Sequence, residues 1–409
     1  MVLKTPGNWM SPILAEIEHE MQTTMTLPAI QIVKPATLLV LNQYERFLDE
    51  LQLLLKVHAA SAKSQLAVLE GGPGRPLKQK ESFGPISFRL ISAVPGGNVQ
   101  VEKASLITLN ESNEPTDFGL KVKSVKKKAD SVVLEAMCLD KGTKQSLAWF
   151  GVRAELSDGQ VLEARVAEPF VVITNEKQWE DSLGMIVRHM LFDKGPTVSR
   201  ARMCNAIQRA YLEGIREPDQ ADPKRPLSPA DFAYMCTLRA IPDDRVSEEQ
   251  FLSLWQWFGS ALSRIRHNQT VLEMWSQGYI MGFCTRENAE ALLINERPGS
   301  FLLRFSSQAP GLFAIAYTNP EGTAVKHYLM RKSDCNANIS LARFLLEKPF
   351  FDTLLQTVPS FSTQAQWQRV PKAKALERWA DKGGAGSEPA VPGYQKTLNI
   401  PFQSLTISK

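Results

Sequence analysis

The sequence predicts a multidomain protein of mixed helical and β class. Three observations carry this. The chain has 409 residues, enough for two to four domains at roughly 150 residues each. Its composition, 44% hydrophobic and 22% charged, is that of an ordinary globular protein, which excludes wholesale disorder and a collagen-like fibre. And the residue pattern changes style several times along the chain, so that five segments are expected: 1–72, 73–192, 193–276, 277–370 and 371–409.

The first segment is mixed and proline-punctuated up to residue 37. From 38 to 69 it turns helical, with Leu41, Tyr44, Leu48, Leu51 and Leu55 at three- and four-residue steps, and it stops at Gly71-Gly72-Pro73-Gly74. Short β-rich runs follow at 86–91, 99–109, 132–137, 147–156, 161–166 and 170–174. Turn signals separate them, such as Pro95-Gly96-Gly97 and Asp158-Gly159, a pattern that argues for an antiparallel sandwich or barrel. From Trp179 to Trp275 the period is helical again, with Trp179, Leu183, Ile186 and Met190 on one stripe and Phe251, Leu254, Phe258, Leu262 and Ile265 on another. An all-helical segment is expected there. After Gly278 the expected order is a helix at 286–295 capped by Thr285, strands at 300–306, 312–318 and 324–330, and a helix at 339–346. The last stretch is polar, with Gly383-Gly384-Ala385-Gly386-Ser387 reading as a flexible linker before Tyr394.

Charge and cysteine content narrow the function classes. A formal charge of +4 over 409 residues is not that of a protein that coats nucleic acid; DNA binding would need a local patch. Five scattered cysteines without a CxxC indicate neither a disulfide framework nor a zinc site, and fit a reducing compartment. No secretion signal and no apolar run of about 18 to 20 residues is present, so no membrane insertion is expected. There is no Walker P-loop, HExxH, nucleophile elbow or EF-hand calcium loop, so neither an enzyme nor a bound cofactor is expected.

The informative run is Gly-Ser-Phe-Leu-Leu-Arg-Phe-Ser-Ser at 299–307. Residues two apart in a strand share a face, so Phe301, Leu303 and Phe305 take one face and Leu302, Arg304 and Ser306 the other. An arginine in the middle of an apolar strand is costly to bury unless paired. It is either one half of a structural salt bridge or the floor of an anion pocket. In a pocket its fork grips a phosphate, Ser306 donates from the same face, and Arg286 adds a second cation at a helix N-terminus.

That run resembles the central strand of an SH2 domain, whose buried arginine binds phosphotyrosine. The preceding Trp275-x-x-Gly278-Tyr279-Ile280-Met281-Gly282-Phe283 with Thr285-Arg286-Glu287 resembles one branch, the signal transducers and activators of transcription (STATs). Glu-Pro-Phe-Val-Val-Ile-Thr-Asn at 168–175 is similar to the motif that closes the family's DNA-binding β domain. Trp255-x-Trp257-Phe258 with Leu272-x-x-Trp275 is similar to its helical linker, and Gly393-Tyr394-Gln395-Lys396-Thr397 to its phosphorylated tail. The resemblance spans about residues 38–400 in the family's domain order. It implies a coiled-coil remnant, an immunoglobulin-like β-barrel, an all-helical linker, an α+β SH2 domain and a tail, shortened at the N-terminus.

The resemblance implies roles for individual residues. Arg304 is the principal phosphate ligand, Ser306 a hydroxyl donor, and Arg286 stands where the family has lysine. Ser307 stands where the family often has Glu. His327 either lines the pocket or is a packed strand histidine. Tyr394 is the phosphoacceptor or an exposed tail tyrosine. Phosphorylation adds about −1.5 to −2 charge. The 23 residues from Pro371 to Tyr394 would reach about 25 to 30 Å as a flexible chain, which suits reciprocal insertion into a partner's SH2 domain. Lys121, Lys123, Lys126, Lys127 and Lys128, with no acid between Phe118 and Ala129, either neutralise DNA phosphates or form a solvated hairpin face. Asn175 either contacts DNA or caps a turn. The expected partners are double-stranded DNA, phosphotyrosine peptides, a tyrosine kinase and a second copy of the chain, with movement from cytoplasm to nucleus. The competing readings are an SH2 adaptor that does no DNA work and a scaffold whose SH2 domain has lost phosphate binding.

Overall fold

The computed structural model describes residues 65–70, 74–91, 100–127, 131–142, 146–215, 225–331, 333–335, 339–358 and 366–380. Most of the helix expected at 38–69 lies outside them, as do Lys128, the Gly383–Gly386 linker and Tyr394. Residues 65–70 correct the rest of that helix: Gln65–Glu70 is a strand, β1, paired antiparallel with β3 (Ile86–Ile91). A short apolar run suits either element, and pairing with a neighbouring strand decides it. The boundary expected at 72 therefore moves to before residue 65.

The remaining strands of this region are β2 (Pro76–Lys78), β4 (Val101–Leu109), β5 (Leu120–Lys127), β6 (Ser131–Leu139), β7 (Trp149–Leu156), β8 (Val161–Arg165) and β9 (Val171–Ile173). They make an antiparallel sheet in the order β1-β3-β6-β5, a second antiparallel sheet β4-β7-β8, and a parallel pair β2-β9. The two larger sheets share one core, in which Phe150 stacks on Phe170 at 4.3 Å and on Phe83 at 5.1 Å. In β7 the alternation is visible: Ala154 and Leu156 are buried, while Arg153 and Glu155 face out and pair with Glu163 and Lys103. The expected strands at 86–91 through 170–174 are thus present; β1, β2 and β5 were not anticipated.

The helical region begins earlier than the boundary expected at 192. Helix α1 (Trp179–Phe192) buries Trp179, Leu183, Ile186 and Val187 in the helical core, not in the β core. It continues through β10 (Thr197–Ser199), α2 (Arg200–Ile215), α3 (Pro229–Leu238), β11 (Arg245–Ser247), α4 (Glu248–Arg266) and α5 (Gln269–Ser276). The region is not all-helical: β10 and β11 pair antiparallel, each leading directly into a helix. Two helix–loop–helix units, α1–α2 and α3–α4, are thereby tied together at their loops. Ser228 and Ser247 cap α3 and α4 with complete capping boxes. Helices α1 and α4 approach closely at Gly184 of α1, where an added Cβ would collide with the Trp255 indole of α4, whose Nε1 donates to Glu180 O at 3.3 Å. Gly184→Ala is expected to force α1 and α4 apart and cost about 1–3 kcal/mol, measured by chemical denaturation.

The C-terminal region holds α6 (Arg286–Leu293), β12 (Ser300–Phe305), β13 (Phe313–Thr318), β14 (Val325–Leu329), α7 (Leu341–Leu346), β15 (Thr353–Val358), β16 (Gln366–Pro371) and α8 (Lys372–Leu376). The sheet order is β14-β13-β12-β15-β16, with β12 and β15 parallel and the other pairs antiparallel. The alternation read in β12 holds. Phe301, Leu303 and Phe305 pack into the large core shared with the helical region and α7. Leu302 packs with Ala289 and Leu293 of α6 on the other face. Residues 366–380 correct the tail expected to start at 371: β16 completes the sheet, and the chain then folds back as α8 and a 3₁₀ turn. Trp379 is fully buried there, its Nε1 donating to Glu273 at 2.6 Å. All five cysteines are free thiols. No helix among the described residues is long and apolar enough to cross a membrane.

Candidate functional site

Arg304 is the last but one residue of β12, the central strand of the sheet, whose neighbours are β13 and β15. Its backbone is held from two sides. Ala314 of β13 is its register partner. Gly282 forms a parallel bridge to it and accepts from Phe305 N at 3.0 Å. Gly282 has φ +114°, and a Cβ there would come within 3.0 Å of the Arg225 guanidinium, so glycine lets the 279–283 segment lie this close to β12.

Arg304 is 6% exposed. Among the described residues its one hydrogen bond runs from Nη1 to Phe305 O at 3.3 Å, and Nε is buried without a partner there. Among the described residues it forms no ion pair. Among the described residues, then, no carboxylate supplies the other half of a structural salt bridge. A buried guanidinium with unused donors is an energetic liability unless an anion arrives.

Other polar groups gather around it. Burial pushes the Cys284 thiol up to about 12, and the Arg304 charge pulls against that rise. The Tyr234 phenol, reaching in from α3, is likewise pushed up by burial, against the Arg304 charge and the Ser307 hydroxyl beside it. His327 of β14 is 10% exposed at the side chain, and burial lowers its pKa, helped by the Arg286 and Arg304 charges. Its Nε2 lies 2.9 Å from Glu290 Oε1, and its Nδ1 is buried without a partner. Arg286, the first residue of α6, reaches the same Glu290 oxygen at 3.1 Å. Thr285 caps the helix by accepting from Asn288 N at 2.9 Å.

Arg304, Arg286 and His327 thus form one electrostatic cluster at the mouth of α6. Ser306 is buried just after β12. Its Oγ accepts from Gln308 N at 3.3 Å and Ala309 N at 3.0 Å, which holds the turn and leaves its O–H to donate. Ser307 is half-buried. Glu290, Tyr234 and Cys284 were not anticipated. The one available signal was the i, i+4 spacing of Arg286 and Glu290.

A second arginine ties this region to the helical one. Arg225 is 7% exposed and donates to three carbonyls: Trp275 at 3.1 Å, Ile280 at 2.6 Å and Met281 at 2.7 Å. Its guanidinium lies 3.8 Å over the Trp275 ring, and Trp275 Nε1 donates to Tyr211 Oη at 2.7 Å. Arg225 is as deeply buried as Arg304 but satisfied.

The basic run is not the free cluster its sequence suggests. Lys121, Lys123 and Lys126 lie on β5 with exposed side chains, and strand alternation sets Lys126 on the opposite face from Lys121 and Lys123. Folding brings acids across from the neighbouring strand: Lys121 pairs with Asp140, which raises its pKa, and Lys126 pairs with Glu135 at 2.8 Å. Lys127 ends β5. Asn175 is exposed and caps the 3₁₀ turn before α1, its Oδ1 accepting from Lys177 N at 3.1 Å, in a capping box with Gln178. Asn175 is thus a turn cap whose side chain remains open to solvent.

Comparison with known proteins adds two family matches and three relatives. The SH2 domain family matches residues 279–359, and an EF-hand fold domain family matches residues 175–268, the pair of helix–loop–helix units tied at β10 and β11. In the loops of that pair Arg200 is bonded to Asp243 and Arg245 to the Thr197 hydroxyl; among the described residues no group of three or more His, Cys, Asp or Glu is placed to hold a metal. Signal transducer and activator of transcription A of Dictyostelium discoideum is 34% identical over 254 residues, 61% of this chain and 35% of that protein. Signal transducer and activator of transcription B of the same organism is 29% identical over 273 residues, 59% of this chain and 24% of that protein. Signal transducer and activator of transcription b of Caenorhabditis elegans is 24% identical over 268 residues, 56% of this chain and 45% of that protein. The chain therefore spans less than half the length of these relatives.

Proposed function

The chain is homologous to the signal transducers and activators of transcription and carries an SH2 domain; from that premise we propose that it is a DNA-binding regulator of transcription switched on by tyrosine phosphorylation. The observation that carries the reading is the buried Arg304 on the central strand of the SH2 sheet, with no ion pair among the described residues and with Nε unbonded. A phosphomonoester supplies what the pocket lacks. Its oxygens accept from Arg304 in bidentate geometry, from the Ser306 hydroxyl and from Arg286, each a charge-assisted or hydroxyl hydrogen bond. Ser307 and His327 line the rim.

Tyr394 is the phosphoacceptor for a tyrosine kinase, and its phosphate enters the SH2 pocket of a second copy, with the exchange reciprocal. The described residues run to Ala380, so 14 residues rather than 23 lead from there to Tyr394 and span at most about 50 Å. That is ample for exchange between two adjoining copies. Pairing two chains doubles every DNA contact, which is why the dimer binds where the monomer does not.

On the DNA side the β region acts as an immunoglobulin-like unit that grips the duplex with Lys121, Lys123, Lys126, Lys127, Lys128 and Asn175. The phosphorylated protein then moves from cytoplasm to nucleus. The SH2-adaptor reading without DNA work retains one supporting observation: Asp140 and Glu135 already engage Lys121 and Lys126. A mobility shift with a pool of palindromic duplexes separates the two. Retardation by the Tyr394-phosphorylated chain and not by the unphosphorylated chain is the expected result. Phosphorylated dimer that retards no duplex would establish the adaptor instead.

A further inference from the structure

The phosphate pocket already contains an anion of its own. Glu290, one turn into α6, places a single oxygen 3.1 Å from Arg286 Nε and 2.9 Å from His327 Nε2. It therefore occupies two of the groups that line the Arg304 pocket, while Arg304 itself is left without an anion. The carboxylate is held ionised: the Arg286 hydrogen bond, then the His327 one, keeps its pKa below the usual range. It is also free to leave, since its side chain is 42% exposed and α6 runs along the surface there. An incoming phosphate meets a like charge sharing its ligands, and must either take them from Glu290 or bind through Arg304 and Ser306 alone.

We infer that Glu290 is a built-in competitor of phosphotyrosine, holding Arg286 and His327 until a phosphate displaces it and so setting how strong an anion must be to fill the pocket. This rests on the phosphate reading of Arg304. It gives the pocket a threshold. Carboxylates and other weak anions do not repay the displacement, whereas a phosphate of about −1.5 to −2 charge with three acceptor oxygens does. A ligand can shift the Glu290 equilibrium only by its preference for the vacated pocket, so every phosphotyrosine affinity includes the cost of moving this one side chain.

The test is calorimetric titration of the whole chain with a peptide of residues 388–400 phosphorylated on Tyr394. Glu290→Ala is expected to bind it about tenfold more tightly than the unsubstituted chain at low salt, with the gain shrinking as salt rises. Glu347→Ala, which removes the same charge from an i, i+4 pair on α7, is the control and should leave affinity unchanged. Thermal melting verifies that both variants fold, and Glu290→Gln provides a second removal of the charge with the side-chain shape kept. Binding by the unsubstituted chain with an equal or weaker affinity in both Glu290 variants would overturn the inference and make Glu290 a scaffold for His327. An equal gain in Glu347→Ala would overturn it too, as a general charge effect. No binding by the unsubstituted chain would instead overturn the phosphate reading on which the inference stands.

Discussion

Arg304→Met is expected to abolish phosphotyrosine binding while making the unliganded protein more stable. The two effects have one cause. In the unliganded protein Arg304 is buried with no ion pair among the described residues, an unbonded Nε and one long hydrogen bond to Phe305 O, so its burial is poorly compensated. Methionine keeps most of the unbranched stem in the same space and removes the charge. A gain of about 1 kcal/mol or more in unfolding free energy is expected, because replacing a poorly compensated buried charge by an apolar side chain of similar length is neutral or stabilising. Had Arg304 been half of a structural salt bridge, the same change would cost about 3–5 kcal/mol. The sign of the stability change thus discriminates the two readings. On the binding side, loss of a bidentate, charge-assisted contact should weaken phosphopeptide affinity at least 100-fold, about 2.7 kcal/mol. Denaturation and peptide titration of one variant measure both.

Arg225→Met is expected to do the opposite to stability. Arg225 is equally buried, but three carbonyls and the Trp275 ring compensate it. Burial lowers its pKa while the Asp231 charge supports it. Removing the side chain leaves the carbonyls of Trp275, Ile280 and Met281 without their donor, at a cost of about 3–5 kcal/mol. Arg225→Lys should recover only part, since an ammonium cannot reach three carbonyls and lie flat on the indole together. The damage should also spread. Met281 N donates to Leu303 O at 2.7 Å and Gly282 O accepts from Phe305 N, so the segment that Arg225 holds is the one laid against β12. Urea denaturation gives the stability, and phosphopeptide affinity of the folded fraction gives the effect on the pocket.

The contrast between these two arginines shows how far the sequence could be read. Arg304 was legible because it interrupts a strand whose alternation is otherwise apolar, and burial of both faces of β12 makes that interruption meaningful. Arg225 was not. It lies in a proline- and aspartate-rich stretch that reads as loop, and its importance arises from carbonyls 50 to 56 residues away in sequence. The same limit explains the lysine run. Counting charges between Phe118 and Ala129 finds no acid, yet β5 pairs with β6, and Glu135 and Asp140 arrive from beyond the turn.

Elements with strong internal periodicity, such as α1, α4 and β12, were read nearly to their ends. Those defined by partners were not. Gln65–Glu70 is a strand because β3 pairs with it, and residues 366–380 are ordered because β15 and α7 give them somewhere to pack. The pairing of β10 with β11, which converts two helical hairpins into one unit, involves three residues on each side and leaves no period to detect.

The central claim, that the Arg304 pocket takes phosphorylated Tyr394 from a second copy, is tested most directly by sedimentation equilibrium of the chain phosphorylated on Tyr394 alone. The predicted result is a mass near twice 45.6 kDa for the phosphorylated chain, and a single 45.6 kDa species for both the unphosphorylated chain and the phosphorylated Arg304→Met variant. A phosphorylated chain that stays monomeric, or an Arg304→Met variant that still dimerises on phosphorylation, would contradict it.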